Sequence, residues 1–173
     1  MIVEGAIALL ERITPPPPAS APVAERQSGV IPYAIVEGQP VFLLVTSRQR
    51  GLWIFPKGRI PEDMEPWESA RREAHEEAGV EGEIATRPVG SYRAWKTRGV
   101  RRFVIEVDMY PLRVEHQHDA WRETGERHRH WVTLAEATRL ITDKQIVELV
   151  RSFARQLRDN PPPQAGARPP DAD

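Results

Sequence analysis

Three glutamates, Glu73, Glu76 and Glu77, stand at i, i+3 and i+4 in the stretch from Gly58 to Val80. At about 100° per residue in an α-helix, they fall within an arc of roughly 100°. Trp67, Ala70, Ala74 and Ala78 occupy the neighbouring arc, while Glu68, Arg71 and His75 take the outer side. The carboxylates therefore belong at a border between core and surface, directed yet reachable. Like charges at this spacing cost a few tenths of a kcal/mol per pair, and a helix C-terminus disfavours anions. Two arrangements relieve that cost. Arg71 and Arg72 can partner a solvated acidic face, or a hard divalent cation can take the carboxylates as oxygen ligands. Spacing alone favours the solvated face.

The elements that would position these groups can be read from the chain. Pro66 suits a first helical turn and Gly79 a terminator, bracketing a helix of about 13 residues. Val41 to Val45 is a continuous apolar run, suited to a strand covered on both faces. Gly29 to Val36 is its expected partner through a turn at Glu37-Gly38-Gln39-Pro40. Phe103 to Tyr110 alternates as a strand, and Ile84 to Tyr92 is a weaker strand candidate. Thr133 with Glu136, and Thr142 with Gln145, form capping-box patterns that start two successive helices. The second carries a buried stripe of Ile146, Leu149, Val150, Phe153 and Leu157. The pattern predicts a mixed α/β (α+β) domain.

Length and composition set bounds. A chain of 173 residues suits one domain rather than two. Ten of its 17 prolines lie in two short segments, so residues 1–25 and 160–173 are read as flexible, Pro-rich flanks of a domain over 26–159. Met1 to Ile13 has the makings of a short helix or strand with nothing to say what it packs on. A net charge of −1 provides no general basic field, so nucleic acid and anionic membranes are not the expected partners. With no cysteine, disulfides, thiolate zinc sites and a cysteine nucleophile are excluded, which suits a cytoplasmic protein. No segment has the length or flanks of a membrane span or a secretory leader.

The whole segment outweighs the spacing of three acids. It resembles the Nudix box: a glycine, a glutamate six residues later, then Arg-Glu-x-x-Glu-Glu-x-Gly. Gly58, Arg72, Glu73, Glu76, Glu77 and Gly79 match, followed by an aliphatic Val80, and Met64 departs by replacing the first glutamate. The resemblance implies a Nudix-type α/β/α sandwich with a mixed central sheet, the box helix and a C-terminal helix. It implies hydrolysis of a diphosphate linked to another group. Glu73, Glu77 and Glu76 would hold Mg²⁺ or Mn²⁺, and Glu76 would also serve as general base. Arg72 would orient the carboxylates, and Gly58 would permit close backbone approach.

Val45 to Arg48 ahead of Trp53 to Gly58, Arg101 to Val104, and Arg127 to Trp131 resemble the diphosphoinositol polyphosphate and diadenosine polyphosphate hydrolase branch. Bacterial members of that branch often lack the first box glutamate. Such small-molecule polyphosphate substrates need several fixed cations, and Arg48, Lys57, Arg101 and Arg129 are the candidates, with Arg26 and Arg127 behind them. Glu123 and Glu126 lie where some Nudix enzymes place an extra ligand or base. Trp53 and Trp131 read as core or cleft-wall residues. His116, His118, His128 and His130, at period-two spacing in polar sequence, read as surface residues rather than a metal site. Two other functions fit the pattern. One is a Nudix-fold binding or regulatory module with little turnover, supported by Met64. The other is action on capped or triphosphorylated RNA ends, which the neutral charge disfavours.

Overall fold

The computed structural model describes residues 15–163. The expected element at Met1 to Ile13 and the tail from residue 164 onward lie outside the described residues. Among the described residues, eight strands form one mixed sheet: β1 (Val23–Val36), β2 (Gln39–Thr46), β3 (Trp53–Ile54), β4 (Lys57–Arg59), β5 (Val80–Ile84), β6 (Gly90–Arg98), β7 (Arg101–Gln117) and β8 (Arg129–Thr133). Helix α1 (Pro66–Glu73) runs directly into a π-helical turn (Ala74–Ala78), and α2 (Leu134–Leu140) and α3 (Lys144–Asp159) follow β8.

β1 is the hub. It pairs in parallel with β7, and antiparallel with β2 at one end and β4 at the other. The β1–β2 connection is tighter than the sequence suggests, because Val36 faces Gln39 across a two-residue loop. Both loop residues have positive φ, 50° at Glu37 and 76° at Gly38, as a primed hairpin turn requires.

Alternation along the strands sends side chains to two separate cores, one on each side of the sheet. Phe42 and Leu44 of β2 join Ile31, Tyr33, Val107 and Met109 against Val150, Phe153 and Leu157 of α3. Leu43 and Val45 turn the other way, joining Val30, Tyr110 and Leu112 against Ala70, Ala74 and Ala78. The apolar run in β2 thus has the double-sided cover its composition predicts, and the layers are helix, sheet, helix. Small alanines on the α1 side bring that helix close to the sheet. Ser69 is buried at the junction and donates through Oγ to the Arg59 carbonyl at 3.3 Å, which fixes α1 against β4.

Two local expectations change. Ile84 to Tyr92 is not one strand: β5 ends at Ile84 and β6 starts at Gly90, both antiparallel to the same edge of β7. Residues between them bulge out opposite Tyr110 and Pro111, held by Ala85 N–H to the Pro111 carbonyl and Val89 N–H to the Met109 carbonyl. Helix α3 is capped by Asp143 rather than Thr142, with the Asp143 carboxylate accepting the Gln145 N–H at 2.8 Å. The Thr133–Glu136 capping box is present with both reciprocal bonds.

Candidate active site

The carboxylate helix does not stay α-helical to its end. Regular hydrogen bonding stops at Glu73 and a π turn covers Ala74–Ala78 before Gly79 closes it in the left-handed region, φ 64°. A widened turn of this kind is frequent at functional sites. Here it begins directly after the first glutamate of the set and carries the other two.

Glu77 is the buried one, with 7% of its surface exposed. Its Oε1 accepts from Arg127 Nη2 at 2.7 Å. Its Oε2 is cut off from solvent and has no hydrogen-bond partner. Burial raises the Glu77 carboxyl to about 7, against the pull of Arg127; the charges of Glu73 and Glu123 push the same way as burial, and the Lys57 backbone N–H opposes them. Glu73 is half-buried, and burial followed by the charges of Glu76 and Glu123 raises its carboxyl too. It lies directly against Gly58 of β4, where a β-carbon would overlap the carboxylate. That contact gives the box glycine its reason.

Glu76 is held differently. Its Oε1 accepts from Arg72 Nε at 2.9 Å and from Arg122 Nη1 at 2.7 Å. Burial raises its carboxyl, but the two guanidiniums outweigh that and hold it below the usual range. Arg59, Pro61, Ser69, Arg72, Glu73 and Glu76 line a cleft of about 220 Å³.

Arg127 ties the centre together. It is buried, donates to the Thr46 carbonyl at 2.9 Å and to Glu77, and its Nε bonds Glu123. The loop between β7 and β8 therefore delivers Arg122, Glu123 and Arg127 to the helix. Arg48 reaches the same loop, with Nη1 at 3.2 Å from Glu126 and 3.7 Å from Glu123. Lys57 lies beside Gln27 Oε1 at 3.5 Å, and burial, followed by the charge of nearby Lys96, lowers its pKa against the pull of Glu77, Glu73 and Glu25. Arg59, Lys96 and Arg98 all approach Glu25, so basic groups gather beside β4.

Other sequence candidates are engaged elsewhere. Arg129 donates to the Ala78 carbonyl at 2.9 Å and the His118 carbonyl at 2.7 Å, and its guanidinium lies 4.1 Å from the Trp121 ring centroid. It stabilises the end of the box helix. Arg101 is exposed at the β6–β7 hairpin, opposite Arg98; among the described residues no hydrogen bond or ion pair joins it to the carboxylates. Arg26 bonds Glu106 and Asp108 on the surface. Trp53 and Trp131 pack partly buried against the two cores.

Arg59 and Arg122 do not stand out in the sequence, although Arg59 adjoins Gly58 and Arg122 adjoins Glu123. Adjacency to residues of the pattern is their only signal.

The residues fit a divalent cation on structural grounds. Glu77 Oε2 is an orphaned buried oxygen, and Glu73 and Glu123 add hard oxygen donors whose repulsion of Glu77 a cation would cancel. The cleft sets Glu73 and Glu76 beside Arg59 and Arg72, an arrangement suited to an anionic ligand. The sequence model described as NUDIX domain matches residues 26–153, and the chain belongs to that family of pyrophosphohydrolases.

Its relatives include Nudix hydrolase 12, mitochondrial, of Arabidopsis thaliana, 29% identical over 76% of this chain and 73% of the relative. Diphosphoinositol polyphosphate phosphohydrolase 3-beta of Homo sapiens is 31% identical over 58% of this chain and 59% of the relative. Among solved structures, the Ap4A hydrolase of C. elegans in a binary complex superposes with a TM-score of 0.61, at 20% identity, over 79% of this chain and 99% of that one. That last likeness carries the fold. Among the described residues, no helix is long and apolar enough to cross a membrane.

Proposed function

We propose that this chain hydrolyses a phosphoanhydride bond in a nucleoside- or inositol-polyphosphate-type small molecule, with Mg²⁺ or Mn²⁺ held by Glu73, Glu77 and Glu76. The observation that carries the reading is the buried, unpartnered Glu77 Oε2 beside Glu73 and Glu123. When bound, the cation neutralises phosphate oxygens and acidifies an attacking water. The chain's own residues do the rest. Gly58 lets the Glu73 carboxylate lie against β4. Arg127 keeps Glu77 and Glu123 oriented. Arg59 and Arg72 line the cleft where an anionic substrate enters.

Glu76 is proposed as general base, and its two guanidinium partners give the role a condition. While Arg72 and Arg122 hold it, Glu76 is a weak proton acceptor. Substrate phosphates compete for the same arginines, which returns basicity to Glu76 when substrate is in place. Arg48 and Lys57 are proposed as further phosphate contacts at the cleft margin, with Arg101 on the hairpin beyond; the two hydrogen bonds and the Trp121 ring contact that engage Arg129 favour a structural role for it. The substrate class draws support from the named activities of the human and C. elegans relatives. A reducing compartment such as the cytoplasm is proposed from the absence of cysteine.

The test is a phosphate-release screen with Mg²⁺ and Mn²⁺ over dinucleoside polyphosphates, inositol pyrophosphates, nucleotide sugars and nucleoside triphosphates, with wild type and Glu77→Gln side by side. Metal-dependent turnover abolished by Glu77→Gln is expected. Absence of turnover on every substrate gives way to a binding module, and full activity in Glu77→Gln removes the site assignment.

A further inference from the structure

On the outer side of the same helix end lies a different set of ligand groups. His75 leaves the π turn away from the core, Glu81 is the second residue of β5, and His118 follows the end of β7. His75 Nε2 lies 3.3 Å from Glu81 Oε1, and His118 Nε2 lies 3.4 Å from that same oxygen. The three ligand atoms all fall within 4.8 Å of one another. His118 Nε2 is buried from solvent and makes no hydrogen bond, since its line to Glu81 misses hydrogen-bond geometry. The two rings meet edge to face at 5.6 Å, and His116 meets His118 likewise at 4.4 Å.

We propose that His75, Glu81 and His118 form a second metal site, for a transition-metal ion of the Zn²⁺ class, distinct from the carboxylate cluster. The spacing is that of such a site. Ligands about 2.0–2.1 Å from a tetrahedral centre stand about 3.3 Å from one another, the separation found on both edges that meet at Glu81 Oε1. Two imidazoles and one carboxylate suit Zn²⁺ or its neighbours in the first transition row, whereas Mg²⁺ prefers all-oxygen sites. An ion also supplies the partner that the buried His118 nitrogen lacks.

The backbone beneath is already fixed. His118 N–H donates to the Gly79 carbonyl at 2.9 Å, Arg129 grips the His118 carbonyl, and Glu81 faces His116 in the β5–β7 register. Only side chains must adjust to close the shell, with water completing it. Bound there, the ion would cross-link the π turn, β5 and the root of the loop that carries Arg122, Glu123 and Arg127. Its role is a clamp that holds this loop to the helix, not a participant in hydrolysis.

The experiment is calorimetric titration of the full chain, free of any affinity tag, with Zn²⁺ while Mg²⁺ is present in large excess. Thermal melting is followed in parallel. One Zn²⁺ per chain and a raised Tm are expected in wild type and in Glu77→Gln. His75→Gln and His118→Gln should each weaken Zn²⁺ binding by roughly tenfold or more while keeping the Mg²⁺-bound Tm, which reports an intact fold. No Zn²⁺ binding against Mg²⁺ overturns the proposal. So does wild-type affinity in both histidine variants, or loss of the bound Zn²⁺ in Glu77→Gln. These outcomes leave the Mg²⁺-dependent reading of the carboxylate cluster standing, because that reading is judged by turnover.

Discussion

Replacing Glu77 with Gln should make the metal-free protein more stable at neutral pH while removing its response to Mg²⁺. The carboxyl rises from an ordinary 4.5 to about 7 in the fold, chiefly through burial. A carboxyl raised in this way means that the fold prefers the protonated form. Its contribution is most favourable below the unfolded pKa and is lost as pH climbs from about 4.5 through 7. At ~1.4 kcal/mol per pH unit, the full loss is roughly 3 kcal/mol. Glutamine imitates the protonated side chain and does not incur that loss. In a domain of this size, 1 kcal/mol moves Tm by about 2–4 °C.

The assay is thermal melting of wild type and Glu77→Gln in chelator at pH 5 and pH 8, then in Mg²⁺ at pH 8. Other groups titrate too, so the quantity to read is the difference between the two proteins. At pH 5 the two should melt within about 2–3 °C of each other. At pH 8 in chelator the variant should melt higher by about 6–12 °C, and Mg²⁺ should reverse the order by raising wild type alone. Two results would refute the reasoning: a variant that is the less stable protein at pH 8 in chelator, or one that gains as much from Mg²⁺ as wild type.

Single contacts elsewhere carry further predictions. Arg127→Ala strips the partner from Glu77 and Glu123 at a buried site, and should cost about 3–5 kcal/mol in urea unfolding. Gly58→Ala drives a methyl into the Glu73 carboxylate; turnover should drop by about a hundredfold with the circular-dichroism spectrum unchanged. Thr133→Ala removes a capping box on an exposed helix start far from the carboxylates, and should lower the unfolding free energy by about 1 kcal/mol without altering KM.

The parts of the fold written in short-range chemistry were legible from the chain. The apolar run at Val41 to Val45, the Pro66 start, the Gly79 stop and the Thr133 cap all declare themselves within a few residues. The carboxylate set was legible as a long spaced pattern, not as three acids at helical spacing. What stayed hidden depends on contacts across the chain. The π turn leaves no mark in composition, since Ala74 to Ala78 reads as ordinary helix. Glu73, Glu76 and Glu77 look equivalent in sequence, yet Arg127 from fifty residues later buries one of them, and Arg122 captures another. Arg129 resembles a substrate cation until Trp121 and two carbonyls are seen around it. The four histidines at period-two spacing split likewise: His118 meets His75, which no such pattern includes, while His130 lies beside Trp53.

The parallel pairing of β1 with β7 has a consequence for how the chain reaches this structure. Val23 finds Val104 and Tyr33 finds Arg113, so the central strand waits for a partner made some eighty residues later. During synthesis the β1–β2 hairpin, with its two-residue turn, is complete in sequence long before β7, and its edge toward β7 has no native partner until then. Closing so long a loop is slow, and an unpaired apolar strand edge invites association with other chains meanwhile. The box helix packs on β1 and on both neighbours of that seam, so the carboxylates acquire their final surroundings only after the last strands are in place. Folding yield, rather than native stability, should therefore respond most to substitutions along the β1–β7 seam.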